Sequence, residues 1–230
     1  MVATGFPRAH SVKTEVIDLA DETTTCEALE DHPIEVNMAS GGLLNDRVPL
    51  ICGGFEGVNR LIVCYIAGSA NRDPVVKRLT PRSSSAAVTL NSHQLWITGG
   101  MDDSRSKYLK STEIVDDRTS FPPVVKGPDL PVPMAGHCIV QLNQSTILFM
   151  GGAPNFKKTH FYNIETQTWT DGPDMNYGRL YSGCGMMQMA TGSSVVVITG
   201  GRKTEALTRS TTEFLKLGDP FGLRWSRGMN

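Results

Sequence analysis

Short apolar runs punctuate this chain at nearly even spacing, and four of them end in a pair of glycines. They are Leu50-Ile51-Cys52-Gly53-Gly54, Leu95-Trp96-Ile97-Thr98-Gly99-Gly100, Ile147-Leu148-Phe149-Met150-Gly151-Gly152 and Val195-Val196-Val197-Ile198-Thr199-Gly200-Gly201. The second glycines are separated by 46, 52 and 49 residues. The runs are nearly continuous rather than alternating, which predicts strands buried on both faces. Around the third run the pattern predicts four short strands. A first strand covers 134–142, Asn143-Gln144-Ser145 turns the chain, and a second covers 146–150. A third covers 159–164, and a fourth starts at Thr168-Trp169-Thr170 and is closed by Gly172-Pro173-Asp174-Met175. Short strands parted by turn residues make an antiparallel sheet.

Other landmarks keep the same phase. Ser111-Thr112-Glu113-Ile114-Val115-Asp116 resembles Thr211-Thr212-Glu213-Phe214-Leu215-Lys216, and Lys13-Thr14-Glu15-Val16-Ile17-Asp18 precedes both. A four-stranded unit repeated at this period predicts an all-β propeller. The repeats divide a single domain, 1–230, into blades at about 1–33 (partial), 36–81, 82–131, 134–176 and 179–230. Four to five four-stranded blades imply an incomplete or open ring, with exposed strand edges and inter-blade faces. The expectation is a piece of a larger propeller, or a chain that pairs with further sequence.

Charge narrows the function classes. The net charge of -1, with acids and bases interspersed, gives no broad basic field for nucleic acid. No apolar stretch reaches the roughly 18 residues that a spanning helix needs, so no membrane insertion is expected. Met1-Val2-Ala3-Thr4-Gly5-Phe6 lacks the charged start and apolar core of a signal peptide, which favours a cytoplasmic chain or one whose true start lies upstream.

The cysteines point the other way. Cys52 ends one apolar run and Cys64 lies in the next, twelve residues on, so a hairpin can bring them within bridging range. Such a bond favours an extracellular protein. Cys138 and Cys184 occupy similar places in consecutive repeats and read as two small buried thiols packed between blades, with a bond as the other reading. Asn143-Gln144-Ser145 is also a glycosylation sequon at a predicted turn, which suits export.

Little in the chain points to catalysis. The five histidines, His10, His32, His93, His137 and His160, are scattered one per segment, without metal-ligand spacing. His137 and Cys138 are neighbours on a predicted strand and should point to opposite faces. Gly200-Gly201-Arg202-Lys203-Thr204 lacks the earlier glycine of a phosphate loop, and a strand rather than a helix should follow it. No cofactor or metal site is expected.

Gly151-Gly152, Tyr162, Trp169 and Pro173 together resemble the kelch repeat: an apolar strand ending in Gly-Gly, a tyrosine in the third strand, a tryptophan about seven residues later, and a proline-rich close. The last repeat keeps Gly200-Gly201, Phe214 and Trp225, with an insertion around Gly218-Asp219-Pro220, while the earlier copies are degenerate. The resemblance covers nearly the whole chain. It implies a non-catalytic protein–protein interaction module whose partner docks on loops after the glycine pair and before each first strand. Those positions hold Phe55, Met101, Asp102, Phe156 and Arg202, then Arg82, Met134, Arg179 and Tyr181. Arg82 and Arg179 match a kelch arginine that can instead bind neighbouring blade backbone. The alternative is the remnant of a galactose-oxidase-like copper-radical propeller, for which Cys64-Tyr65 and His160-Phe161-Tyr162 are the nearest pieces.

Overall fold

A computed structural model describes residues 2–3, 12–16, 26–45, 47–77, 79–102, 107–118, 124–189, 192–204, 207–208, 210–218 and 222–228. Gly5, His10, Ile17, Asp18, Asp219 and Pro220, used in the sequence reading, lie outside them. The described chain is all-β and propeller-like, with four antiparallel blades after a small three-stranded sheet. It divides into two compact units, one of residues 1–107 and 111–127, the other of 108–110 and 128–230.

The first unit opens with β1 (Val2–Ala3), β2 (Glu15–Val16) and β3 (Glu27–Ala28), paired in that order. Its first blade holds β4 (Ser40–Leu44) and β5 (Val48–Cys52), a side hairpin of β6 (Phe55–Glu56) and β7 (Asn59–Arg60), then β8 (Cys64–Ile66). This blade has three strands, not the expected four. Past β8 the fourth is reduced to one bridge between Cys64 and Val76. The chain is turned there by Asn71, whose carboxamide accepts the Asp73 N–H at 3.0 Å. Pro74 follows and has no N–H to give a ladder. The second blade is complete: β9 (Ala86–Asn91), β10 (Gln94–Thr98), β11 (Thr112–Asp116) and β12 (Val124–Lys126).

The second unit holds two full blades. One is β13 (Cys138–Gln141), β14 (Thr146–Met150), β15 (Thr159–Asn163) and β16 (Thr168–Asp171). The other is β17 (Gly183–Gln188), β18 (Ser194–Thr199), β21 (Thr212–Lys216) and β22 (Trp225–Arg227), with the side hairpin β19 (Arg202–Thr204) and β20 (Leu207–Thr208) inserted after the glycine pair. The strands predicted at 146–150, 159–164 and 168–170 fall where the pattern put them. The first strand starts late, at Cys138, because Ala135 bridges to Ala153 and Gly136 kinks the backbone first.

Core forms between blades rather than within them. In the first unit, Leu44, Leu50 and Val76 interlock with Leu95, Ile97 and Val115 of the next blade. In the second, Leu148, Met150 and Met175 meet Val196, Ile198, Leu215 and Trp225. The second strands are sandwiched, as their unbroken apolar runs demand: Ile147, Leu148, Phe149 and Met150 are all buried, whichever face they occupy. Trp225 also donates its indole N–H to the Pro173 carbonyl at 3.0 Å, tying an outer strand to the close of the preceding blade.

Both cysteine pairs are bonded. Cys52 and Cys64 are direct partners in the β5–β8 register. The Gly53 N–H donates to Val63 beside them, so the pair is a non-hydrogen-bonded one, where strands approach closest, and the Cα atoms are 4.1 Å apart. Cys138 and Cys184 are bonded across blades with Cα atoms 6.2 Å apart, which corrects the reading of them as buried free thiols. The inner strands β13 and β17 bring them into range, and both sulfurs lie in half-buried residues. Cys26 is free and exposed.

Candidate functional site

All the residues expected to touch a partner lie at one end of their blades, where the second strand runs into its glycine pair. A repeated backbone device builds that end. Asn37, Ser83, Ala135 and Leu180 each form a two-residue bridge with Phe55, Met101, Ala153 and Arg202, the residues just after the glycine pairs. The next residue in each copy, Met38, Ser84, Gly136 or Tyr181, has a left-handed backbone, with φ of 53°, 54°, 64° and 55°. A non-glycine residue there is uncommon and invites a functional reading. Its recurrence in four blades gives it a structural one, because within each unit one such kink aims an N–H at the preceding blade. Ser84 donates to the Met38 carbonyl at 2.9 Å, and Tyr181 to the Gly136 carbonyl at 2.8 Å.

The glycine pairs complete the device. Gly54 donates to the Arg82 carbonyl and Gly152 to the Arg179 carbonyl, both at 2.9 Å. Gly152 has φ of 83°, and a Cβ there would sit 2.8 Å from the His137 Cβ and 2.9 Å from the Ala135 carbonyl oxygen. Only glycine meets both demands.

Arg82, Arg179 and Met134, three candidate partner contacts, are all buried, and the two arginines take the other role open to them, bonding blade backbone, though of their own blade and not of a neighbour. The Arg179 guanidinium donates to the carbonyls of Gly200 at 2.8 Å and Thr211 at 2.9 Å, and to Glu213 Oε1 at 2.8 Å. Arg82 repeats the pattern with Gly99 at 2.7 Å, Ser111 at 2.9 Å and Glu113 at 3.1 Å. The glutamates are used again: Glu113 accepts from the Thr80 N–H and hydroxyl, and Glu213 from the N–H groups of Asn176 and Tyr177. These arginines are internal fasteners, so their side chains do not contribute to a docking face. Burial works to lower the Arg82 pKa and Glu113 opposes it. In the blade between, Met134 and His160 take the equivalent positions. His160 there bonds Asp171 at 2.9 Å through Nδ1.

The remaining positions are accessible. In the first unit, Phe55 is half-buried against Arg60, a buried residue whose guanidinium lies 4.5 Å from the ring centroid and donates to the Ser83 hydroxyl at 3.1 Å. Met101 and Asp102 are half-buried beside the Ser83 bridge. The sequence reading missed Arg60 and Val58. Val58 is 74% exposed at the tip of the β6–β7 hairpin. Gly57, in the two-residue turn between β6 and β7, was the available signal. In the second unit, Tyr181 is 40% exposed and lies under Arg202, whose guanidinium carbon is 5.2 Å from the ring. Phe156 is half-buried nearby in sequence terms, its carbonyl accepting the Arg179 N–H at 2.9 Å.

This is an inventory for recognition: aromatic faces, guanidinium groups, a thioether and a carboxylate. Among the described residues, no group of three or more His, Cys, Asp or Glu is close enough to hold a metal. Cys64 is bonded to Cys52, so its sulfur is not available to link to a tyrosine as a copper-radical centre requires, and Tyr65 packs edge-on against His32 at 5.3 Å. His137 stacks on Phe149 at 5.9 Å, on the side of its strand away from the Cys138–Cys184 bond, and burial holds its pKa down to about 4. Arg202-Lys203-Thr204 is strand β19, as expected of a blade and not of a phosphate loop. A polar cleft of about 530 Å³ in the first unit, lined by Glu30, Asp31, Ser69 and Arg72 among others, lies by β3 and the turn after β8, apart from these loops in the chain. No helix among the described residues is long and apolar enough to cross a membrane. No protein-family model matches the chain, and comparison with curated proteins finds no significant relative.

Proposed function

We propose that this chain is a kelch-type propeller that binds a protein partner through its glycine-pair ends and performs no catalysis of its own. The kelch assignment is supported by the four in-phase glycine pairs and by Trp169, which packs on Tyr162 with ring centroids 4.7 Å apart. The binding reading rests chiefly on one observation. Two accessible aromatic rings, Phe55 backed by the buried Arg60 and Tyr181 under Arg202, stand at equivalent ends of their blades on a backbone fixed by inter-blade hydrogen bonds. Groups that are held in place lose little freedom on binding, which favours affinity from few contacts. Two cystines support an oxidising compartment as the place of action.

The test is site-specific photo-crosslinking. A photoreactive phenylalanine at position 181 should form a discrete protein adduct in extracts of the source tissue. The same group at position 188, at the other end of β17, should not. Equal adducts at both positions, or adducts that survive Arg202→Ala and Phe156→Ala unchanged, would overturn the reading.

A further inference from the structure

We propose that Asn143 is an N-glycosylation site, and that its glycan covers the exposed Met186 on the neighbouring blade. The proposal rests on the oxidising-compartment reading and is independent of which end binds a partner.

Asn143-Gln144-Ser145 is the only Asn-x-Ser/Thr triplet in the 230 residues. It forms the turn between β13 and β14, with Asn143 and Gln144 both exposed. Asn143 Oδ1 accepts the Ser145 N–H at 2.9 Å and the Ser145 hydroxyl at 3.1 Å. That arrangement occupies the carboxamide oxygen and leaves the carboxamide nitrogen for reaction. Both bonds span two residues, so the turn can form before the blade does, when transfer to a nascent chain takes place.

In the transfer, Asn143 Nδ2 attacks C1 of the first sugar of a polyprenyl-diphosphate oligosaccharide. The N–C1 bond forms and the C1–O bond to the diphosphate breaks. The diphosphate leaves with the electron pair, and the amide proton passes to a base of the transferase. The folded blade accommodates the product, because the turn projects from the sheet and the described contacts of Asn143 are within the turn itself.

What lies beside it gives the glycan a role. β13 and β17 are joined by Cys138–Cys184, and both strands run away from the glycine-pair end. Five residues past each cysteine, about 17 Å along a strand, the chain reaches Asn143 on one blade and Met189 on the other. Met186, two residues past Cys184 on the face of β17 that carries the bond to β13, is exposed, while Met187 alternates to the other face. An exposed methionine on an edge strand invites association and oxidation. A hydrated glycan on the adjacent turn shields it and leaves Tyr181 and Arg202 open at the opposite end.

The full chain should be passed through a eukaryotic secretory pathway and recovered with both cystines formed. Peptide-N-glycosidase in ¹⁸O-water should convert Asn143 to ¹⁸O-labelled aspartate. Asn143→Gln and Ser145→Ala should abolish the label, and Ser145→Thr, which keeps the sequon and the hydroxyl, should retain it. An unmodified Asn143 in secreted, cystine-bonded protein overturns the site, as does failure of the chain to be secreted in any variant. Peroxide should oxidise Met186 several-fold faster in Asn143→Gln than in the glycosylated protein, with Met187 unchanged. Equal rates overturn the shielding.

Discussion

Arg179 and Glu213 face each other at 2.8 Å with both side chains wholly shielded from solvent. Arg82 and Glu113 pair at 2.9 Å in the first unit, the arginine wholly shielded and the glutamate side chain 11% exposed. The blade between carries Met134 and His160 at the equivalent places, so across these three blades arginine and glutamate occur together or not at all. A buried charge left without its partner is what this co-occurrence avoids.

Removing one member should therefore be worse than removing both. Arg179→Met leaves Glu213 buried with only backbone donors and should cost about 3–5 kcal/mol. The double variant Arg179→Met, Glu213→His, which copies the intervening blade, should recover a clear part of that loss. Recovery will be incomplete because Glu213 also accepts from Asn176 and Tyr177. Urea unfolding of the three proteins measures this, and equal losses in the single and double variants would refute the coupling.

Glycines that look alike in the sequence should behave differently. Gly152→Ala places a Cβ against His137 and the Ala135 carbonyl at positive φ, and should destabilise by about 1–3 kcal/mol. Gly185→Ala, in β17, meets nothing within 4 Å and should change stability by less than about 0.5 kcal/mol. Thermal unfolding of both variants is the check.

Acid should weaken the second unit through His137. Its pKa is about 4 when folded, against 6.5 for the exposed side chain. The neutral form is favoured by folding, so the stabilisation is complete above pH 6.5 and disappears as pH falls from 6.5 towards 4. The loss is on the order of 3 kcal/mol. His137→Phe should flatten the urea midpoint between those pH values relative to the parent, and an unchanged slope would contradict the assignment.

The two cystines should differ in accessibility. Cys52 and Cys64 are buried, whereas Cys138 and Cys184 are half-buried. A thiolate must approach a sulfur in line to displace its partner. A mild dithiol under native conditions should therefore reduce Cys138–Cys184 first, leaving Cys52–Cys64 until the blade unfolds. Differential alkylation with mass spectrometry reads the order.

The blades could be read from the sequence because burial on both faces leaves a mark that survives without context: Leu148 and Phe149 must both be apolar. The glycine pairs added the period. For Arg82 and Arg179 the sequence left two readings open, a partner contact or a bond to blade backbone, and did not reveal the glutamates. An arginine beside a turn looks like a surface cation until its glutamate, 31 or 34 residues later, is brought beneath it. Cys138 and Cys184 were ambiguous for a related reason, since their bond depends on the spacing between neighbouring inner strands. Strand count in 36–81 failed locally, where Asn71 and Pro74 divert the chain before a fourth strand can pair.

Arg82 and Arg179 are double-ended. Each guanidinium grips its own blade, and each carbonyl holds the second glycine of the blade before. A blade excised at its sequence boundary would carry its arginine away and strip its predecessor of an acceptor. Recombining these repeats would thus call for cuts just upstream of a first strand in donor and host alike, with the residue at the arginine position and its left-handed neighbour retained by the host. The side chain then becomes the variable to match, as arginine with glutamate or as an apolar residue with its own third-strand partner.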